Sequence, residues 1–277
     1  MLRYSTPPDE PNNFSGHVKT ARDKIDEIIR NNTIPASADF DDSWKSFKGA
    51  LFRSQHQKCG YCELFLGTHP GDVEHYRPKA ELQELSDDET SWGEEDKDVF
   101  NVVGRRPVKV SDSGYWWAAY SWQNYLAACN RCNSGWKRNL FPIKEKPRKA
   151  PAQGNQEIEL LLNPFYGEDP ADHLEFDKLG QVKALNNSEF GRATILTCGL
   201  DRNSLVVARN EKVTRAYELV RNYERAKTTE KRTEVLNDFF KMGLEAYEFA
   251  GMVRAIFKQK LKLPWQEWKE VLQVEDE

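Results

Sequence analysis

Four of the five cysteines form two Cys-x-x-Cys pairs, Cys59 with Cys62 and Cys129 with Cys132. Each pair places two thiolates on one short loop, and two such loops supply the four tetrahedral ligands that zinc prefers. Compared with a loop of about 17 residues, the 66 residues between the pairs add only about 1.2 kcal/mol of closure entropy. Structural zinc binding releases on the order of 10 kcal/mol. We therefore predict a structural zinc ion held by these four cysteines.

A four-thiolate site has no open position for a water molecule, so any catalysis would need other residues. Ordinary buried cysteines are one alternative for the two pairs. A thioredoxin-like redox pair is another, although no strand and helix of the required kind follow Cys62. The fifth cysteine, Cys198, lies in a mostly apolar run and is predicted to be a small buried side chain.

Between and around the cysteine pairs lie residues suited to metal-assisted hydrolysis of a phosphodiester. Glu74 and Asn133 offer the carboxylate and amide oxygens that suit Mg²⁺ or Mn²⁺. His75 could take a proton from an attacking water molecule, because the ordinary pKa of histidine is about 6.5. Asn124 could hold its imidazole in one tautomer. These four residues are the predicted reaction site.

A basic segment after the second cysteine pair is the predicted contact for nucleic-acid phosphates. Its candidate residues are Lys137, Arg138, Lys144 and Lys146. The alternative is an ordinary solvated run of charges. The net charge of −4 provides no basic field over the whole chain, so any binding of nucleic acid must be local.

The elements that would position these residues can be read from periodicity and turn signals. Apolar residues at helical spacing predict helices over residues 17–31 and 42–56. Turn-forming residues from Gly67 to Gly71 separate two short extended pieces and predict a hairpin that ends at His75. Towards the C-terminus the sequence predicts a hairpin turning at Leu179 and Gly180, then helices over residues 204–226, 229–250 and 251–261.

The organisation expected from these elements is α+β, with a predominantly helical chain around a small core of two strands, a helix and a metal. The division has three parts: an N-terminal helical arm at 1–41, a zinc-stapled core at 42–150 and a hairpin followed by helices at 151–277. The core carries an acidic insertion at 84–112, whose first half lacks periodicity and is expected to be a solvated insertion or a loop that faces a partner. The segment 147–156 has linker composition.

Composition favours a soluble globular protein. Hydrophobic residues make up 39% of the chain and charged residues 30%, and the mean hydropathy is −0.77. No apolar run approaches the roughly 20 residues of a membrane span, and the first residues lack the pattern of a secretory signal. We therefore expect a cytoplasmic protein with no membrane contact.

Three motifs together resemble the HNH endonuclease superfamily in its cysteine-bearing ββα-metal form. They are CGYCE at 59–63, DVEHYRPK at 72–79 and YSWQNYLAACNRCN at 120–133, followed by Lys137 and by Phe141 and Pro142. Within that superfamily the chain is most similar to the nuclease subunit of Septu-type antiphage systems, the PtuB-like proteins. Further matching motifs extend the resemblance over roughly residues 42 to 215.

The resemblance implies a role for each matching residue. His75 would be the general base, Glu74 and Asn133 would hold the catalytic metal, and Asn124 would be the middle HNH residue, while the third HNH position is asparagine here. Asn163 and His173 match a second motif and are possible additional site residues; a structural histidine at the start of a strand is the alternative for His173. His56 and His69 match no motif position.

The function predicted from the sequence is therefore metal-dependent endonuclease activity, with DNA favoured over RNA as the substrate. The resemblance also implies a partner, an ABC-type ATPase subunit. The alternative is a non-catalytic zinc-knuckle module that binds nucleic acid or protein. The pair Glu74 and His75 favours the enzyme, because a binding module has no need of a carboxylate and a base beside a phosphate site.

Overall fold

The computed structural model describes residues 1–67, 71–85, 108–144 and 157–265. In these ranges the α-helices are α1 Phe14–His17, α2 Lys19–Arg30, α3 Lys48–Ser54, α4 Glu189–Cys198, α5 Asn203–Arg225, α6 Thr229–Gly243 and α7 Ala250–Leu261. A π-helix lies at Arg131–Lys137. Short 3₁₀ helices lie at Ser37–Asp39, Ser43–Phe47, Trp116–Ala118, Trp122–Asn124, Pro170–Asp172 and Leu185–Asn187.

Six strands pair in three small antiparallel sheets. The strands are β1 Gly71–His75, β2 Glu81–Leu85, β3 Val108–Ser113, β4 Tyr125–Cys129, β5 Leu174–Phe176 and β6 Val182–Ala184. Strand β1 pairs with β4, β2 with β3, and β5 with β6. Helices and small antiparallel sheets agree with the predicted α+β class.

Most of the predicted helices are present, because their apolar spacing matches a buried face. In α2 the residues Ala21 and Ile25 are buried, four positions apart on one side of the helix. The predicted helix at 42–56 is divided into a 3₁₀ turn and α3. The predicted C-terminal hairpin is formed by β5 and β6, with Gly180 at a positive φ in its turn.

The prediction of a local hairpin before His75 is wrong. Strand β1 pairs with β4, about fifty residues downstream, so that Gly71 is opposite Cys129 and His75 is opposite Tyr125. The segment before β1 instead folds back on the first cysteine pair through a bridge between Lys58 and Phe65. Turn residues revealed where the chain bends, but not which distant strand supplies the partner.

Strands β1 and β4 and the π-helix that follows β4 form the unit that carries the predicted reaction site. Glu74 and His75 occupy the last two positions of β1. Asn124 directly precedes β4, and Asn133 lies inside the π-helix. Pairing of β1 with β4 therefore brings Glu74 opposite Leu126 and His75 opposite Tyr125, next to Asn124.

One hydrophobic cluster runs through all three predicted parts of the chain. Its buried members include Val18 from the N-terminal arm, Leu126 from the core and Phe239 from the C-terminal helices. The three-part division stays a prediction, and its proposed linker at 147–156 lies outside the described residues. The acidic insertion begins within β2 and ends within β3, and residues 86–107 between these strands are also outside the description.

Among the described helices, none combines the length and the apolar character that crossing a bilayer requires.

The end of α4 packs tightly against the π-helix. Gly199 caps α4 with a left-handed backbone, φ +58°, a conformation that side-chain-bearing residues adopt at a cost. A methyl group at this position would also lie 2.0 Å from ring carbon Cδ2 of Trp136. Both the backbone and the space therefore require glycine at position 199.

We expect Gly199→Ala to lower the free energy of unfolding by about 3 kcal/mol, because backbone strain and overpacking each cost roughly 1–2 kcal/mol. Gly167→Ala is the matched control. Gly167 has a φ of +73°, but a methyl group added there would have no other atom within 4 Å, so only the backbone cost of about 1 kcal/mol applies. Urea unfolding measures both variants, and equal losses would contradict the proposed packing of α4 on Trp136.

Candidate functional site

The four paired cysteines converge on one point. The sulfur atoms of Cys59, Cys62, Cys129 and Cys132 all lie within 4.8 Å of one another. The Sγ atoms of Cys62 and Cys129 are 3.8 Å apart, which matches the separation of about 3.8 Å between two sulfurs at tetrahedral Zn–S distances of roughly 2.3 Å. The cluster can therefore hold one metal ion, and four thiolates are a donor set that suits zinc.

A buried glutamine joins the first cysteine loop to β4. The side-chain amide of Gln55 accepts a hydrogen bond from the backbone N–H of Ala127 (2.8 Å) and donates to the Ala127 carbonyl (2.9 Å). Gly60, between the first two cysteines, also donates its N–H to the Ala127 carbonyl (2.9 Å). Sequence analysis missed Gln55, because a lone glutamine at the end of an amphipathic helix gives no sign of such a role.

Arg202 places a positive charge against the thiolates. Its guanidinium is buried, and Nη2 lies 3.5 Å from the sulfur of Cys132. Nη1 donates to the carbonyls of Cys198 (3.2 Å) and Gly199 (2.8 Å). Four thiolates around Zn²⁺ carry two excess negative charges, so Arg202 offsets part of them. The sequence analysis assigned no role to Arg202, because a lone arginine gives no sign of a contact with a distant cysteine.

His75 is buried and fixed in one orientation. Its Nε2 atom lies 3.0 Å from the carbonyl oxygen of Ala119, and the rings of Trp44 and Tyr125 lie perpendicular to the imidazole at 4.6 and 5.1 Å. A carbonyl oxygen can only accept, so Nε2 carries the proton and the neutral ring keeps a lone pair on Nδ1. Burial lowers the pKa of His75 well below its ordinary value, and the charge of Lys79 lowers it further. The imidazole is thus held in its basic form.

Glu74 forms a buried ion pair. Its Oε1 atom lies 2.5 Å from Nζ of Lys137, and both side chains are buried. Burial raises the pKa of Glu74, while the charge of Lys137 opposes this shift. Lys137 also donates a hydrogen bond to the carbonyl oxygen of His75 (3.0 Å). The pair therefore connects β1 to the end of the π-helix.

This position of Lys137 corrects the sequence interpretation, which made it a surface contact for phosphate. The side chain has 0% exposure, and both of its contacts lie inside the protein. Arg138 is exposed, and Lys144 forms a surface ion pair with Glu189 (2.7 Å). Lys146 lies outside the described residues. A lysine in a basic run can point inwards at the end of a helix, which composition alone does not reveal.

Asn124 fixes the backbone around His75 rather than the imidazole itself. Its Oδ1 accepts from the N–H of Arg77 (2.8 Å), and its Nδ2 donates to the carbonyls of Arg77 (3.1 Å) and Ala118 (3.0 Å). Arg77 is two residues after His75, and Ala118 precedes the carbonyl that binds Nε2. Asn124 therefore does not contact the imidazole directly but holds the backbone at Arg77 and Ala118. The group that contacts the imidazole is the carbonyl of Ala119, which the sequence did not reveal.

Asn133 lies about one helical turn before Lys137 in the π-helix and is half-buried. Because Lys137 contacts Glu74, the helix that carries Asn133 lies next to the strand that carries Glu74. In the described part of the chain, the four cysteines are the one group of three or more His, Cys, Asp or Glu side chains close enough to share an ion. A hard cation near Glu74 would thus have few protein ligands, as is usual for Mg²⁺, which keeps waters and binds substrate phosphates.

The two possible additional residues, Asn163 and His173, make local structural contacts. Asn163 accepts hydrogen bonds from the N–H groups of Phe165 (2.8 Å) and Tyr166 (3.3 Å) in a turn. His173 directly precedes β5, and its Nδ1 and Nε2 atoms lie 2.7 Å from Ser188 and 3.3 Å from Glu168. Of the two unassigned histidines, His56 lies 3.9 Å from Glu245, and His69 is outside the described residues.

Comparison with known proteins gives one informative similarity. The chain is 33% identical over 185 residues to the Septu protein PtuB of Bacillus mycoides (strain KBAB4). The aligned region covers 66% of this chain and 55% of that protein, so the chain spans about half the length of the curated relative that it matches. No protein-family model matches the chain. No solved structure matches it either.

We expect Arg202→Met to weaken the cysteine centre. Removal of one partner from a buried charge pair costs about 3 kcal/mol, and the thiolates would lose the charge that lies 3.5 Å from Cys132. The variant should release bound metal faster to a chelator and unfold at lower urea concentration. Arg215→Met is the control, because Arg215 makes surface ion pairs with Glu218 and Asp238. Unchanged metal release in Arg202→Met would contradict this role.

Proposed function

We propose that this chain is a metal-dependent endonuclease of the HNH class, which hydrolyses phosphodiester bonds in nucleic acid, with DNA as the favoured substrate. The observation that carries the proposal is the state of His75. Its Nε2 proton is held by the Ala119 carbonyl at 3.0 Å, so the lone pair of Nδ1 is available to accept a proton. A buried, neutral imidazole held in this orientation is suited to general-base catalysis.

The reaction needs little covalent participation from the protein. The oxygen of a water molecule forms a bond to phosphorus, and one of its protons passes to Nδ1 of His75. The bond between phosphorus and the leaving oxygen breaks, and that oxygen takes up a proton from a solvent water molecule to become a hydroxyl group. Asn124 acts as a positioning residue, because it holds the backbone at Arg77 and Ala118 on either side of the imidazole.

Two kinds of metal are part of the proposal. Glu74 and Asn133 would hold Mg²⁺ or Mn²⁺, which supplies positive charge to the phosphate and the leaving oxygen. The four cysteines would hold a structural Zn²⁺, for which their sulfur separations are suited. The zinc stabilises the fold and takes no part in the chemistry, since a closed four-thiolate site leaves no position for a water molecule.

The similarity to the Septu protein PtuB supports a biological setting. We propose that the chain is the nuclease subunit of a Septu-type antiphage system and acts with an ABC-type ATPase subunit. The acidic insertion and the C-terminal helices are the proposed contact surfaces. Deletion of the C-terminal helices would not test this contact cleanly, because Leu205, Arg209 and Val213 of α5 are buried in the same core. Co-purification with the ATPase from cells that express both intact chains is the direct test.

We expect His75→Ala to reduce cleavage by at least about 100-fold, the usual contribution of a general base. The assay uses plasmid, single-stranded DNA and total RNA with Mg²⁺ or Mn²⁺, with and without the ATPase. His173→Ala is the matched control and should keep its activity, because His173 contacts only local partners. Zinc content and melting temperature show whether each variant is folded. Full cleavage by a folded His75→Ala variant would disprove the assignment.

A second set of variants separates the chemistry of Glu74 from its role in stability. Glu74→Gln should abolish metal-dependent cleavage and also destabilise the fold, because it leaves Lys137 buried without its carboxylate. The double variant Glu74→Gln with Lys137→Met removes both charges and should recover stability in urea unfolding, but not cleavage. Recovery of cleavage in the double variant would show that Glu74 is only a structural partner of Lys137.

A further inference from the structure

Lys79 lies beside the proposed reaction site and has no role in the function described so far. Its ammonium nitrogen is 4.8 Å from the centre of the Trp44 ring and 5.9 Å from that of Phe40. The same Trp44 ring lies perpendicular to the imidazole of His75, at 4.6 Å between ring centres. The side chains of His75 and Lys79 therefore both pack against the Trp44 ring and lie close to each other.

Lys79 has no carboxylate partner and no hydrogen bond within the part of the chain that the structure describes. Two carboxylates act on its charge, Asp42 and Glu74, but each already contacts another lysine. Asp42 pairs with Lys45, and Glu74 pairs with Lys137. Burial lowers the pKa of Lys79, because a partly desolvated cation without an anion is unfavourable. A bound anion would offset the free-energy cost of keeping this charge partly buried.

The contrast with Lys137 shows which lysine can meet a substrate. Lys137 is fully buried and is neutralised by Glu74, whereas Lys79 is only partly buried. Lys144, another residue of the predicted basic segment, pairs with Glu189 on the surface. Lys79 therefore combines proximity to His75 with a charge that no described carboxylate neutralises.

The backbone of Lys79 is held rigidly. Gly114 packs directly against it, and a methyl group on Gly114 would lie 2.6 Å from the carbonyl carbon of Lys79. Tyr115 donates its N–H to the carbonyl of Pro78 (2.7 Å), and Gly114 donates to that of Ala80 (2.9 Å). A cation on such a fixed segment is positioned before the substrate arrives, which is the condition for effective electrostatic stabilisation.

We propose that Lys79 contacts the phosphate group on which His75 acts, with its ammonium donating to a non-bridging oxygen of that phosphate. This inference rests on the proposed nuclease function and names the phosphodiester backbone of nucleic acid as the ligand. Lys79 supplies positive charge where negative charge develops during attack on phosphorus. It also supplies one phosphate contact for binding, independent of the base sequence.

The test uses Lys79→Met, which keeps the aliphatic stem over Trp44 and removes the charge. Lys79→Arg keeps the charge, and Lys19→Met is the control for a lysine that forms an exposed ion pair, here with Asp23. With the full chain, its ATPase and Mg²⁺, Lys79→Met should lower kcat/KM about 100-fold. Lys79→Arg should recover part of this loss, and Lys19→Met should be unaffected. Melting temperatures establish that the variants are folded.

A binding measurement makes the test independent of turnover. In a His75→Ala background, affinity for a fluorescent DNA duplex is measured over a series of salt concentrations. Addition of Lys79→Met should reduce the slope of log affinity against log salt by about 1, the value for one lost phosphate contact. The addition of Lys19→Met should leave the slope unchanged.

The outcomes separate this inference from the proposed function. If His75→Ala abolishes cleavage but Lys79→Met changes neither kcat/KM nor the salt slope, the role of Lys79 is overturned and the nuclease stands. If His75→Ala cleaves normally but Lys79→Met still reduces the slope, the assignment of His75 fails and the phosphate contact at Lys79 stands. If neither variant changes cleavage or binding, both are wrong.

Discussion

The convergence of four cysteine sulfurs is the constraint on which the rest of the structure depends. It joins the loop after α3, the end of β4 and the π-helix at one point. A four-thiolate centre carries excess negative charge, which attracts the guanidinium of Arg202, between α4 and α5. Because metal binding can release on the order of 10 kcal/mol, a single ion can hold together segments that are far apart in the sequence. The C-terminal helices are thereby tied to the same centre.

The proposed reaction site is positioned relative to this centre by one strand. Strand β4 ends at Cys129 and pairs along its whole length with β1, which ends at Glu74 and His75. Successive residues of a strand point to opposite faces, so Glu74 meets Lys137 while His75 packs against Trp44 and Tyr125. A shift of one residue in this register would exchange the two environments. Fixing β4 at Cys129 therefore also determines that His75, the proposed base, is the side chain that packs against Trp44.

The sequence allowed prediction of those features that have a local pattern. Helical spacing predicted α2 and the helices from α5 to α7, and the spacing of the cysteines predicted their convergence. The pairing of β1 with β4 was missed because strand partners fifty residues apart leave no periodic signal. The buried positions of Lys137, Gln55 and Arg202 were missed for a related reason. Polar residues become interior only when distant segments surround them, and the sequence does not reveal that arrangement.

The hydrogen bond from His75 to the carbonyl of Ala119 has a consequence for how this protein can change by mutation. The acceptor is a main-chain oxygen, which every amino acid provides, so no substitution at position 119 removes the group that selects the tautomer. Such a substitution can act only by moving the backbone, and Ala119 is fully buried, which limits the size of the side chain. The vulnerable position is instead Asn124, whose amide holds the neighbouring carbonyl of Ala118. A substitution at Asn124, which supports the neighbouring backbone, is therefore expected to be more harmful than one at Ala119, whose main-chain oxygen contacts the proposed base.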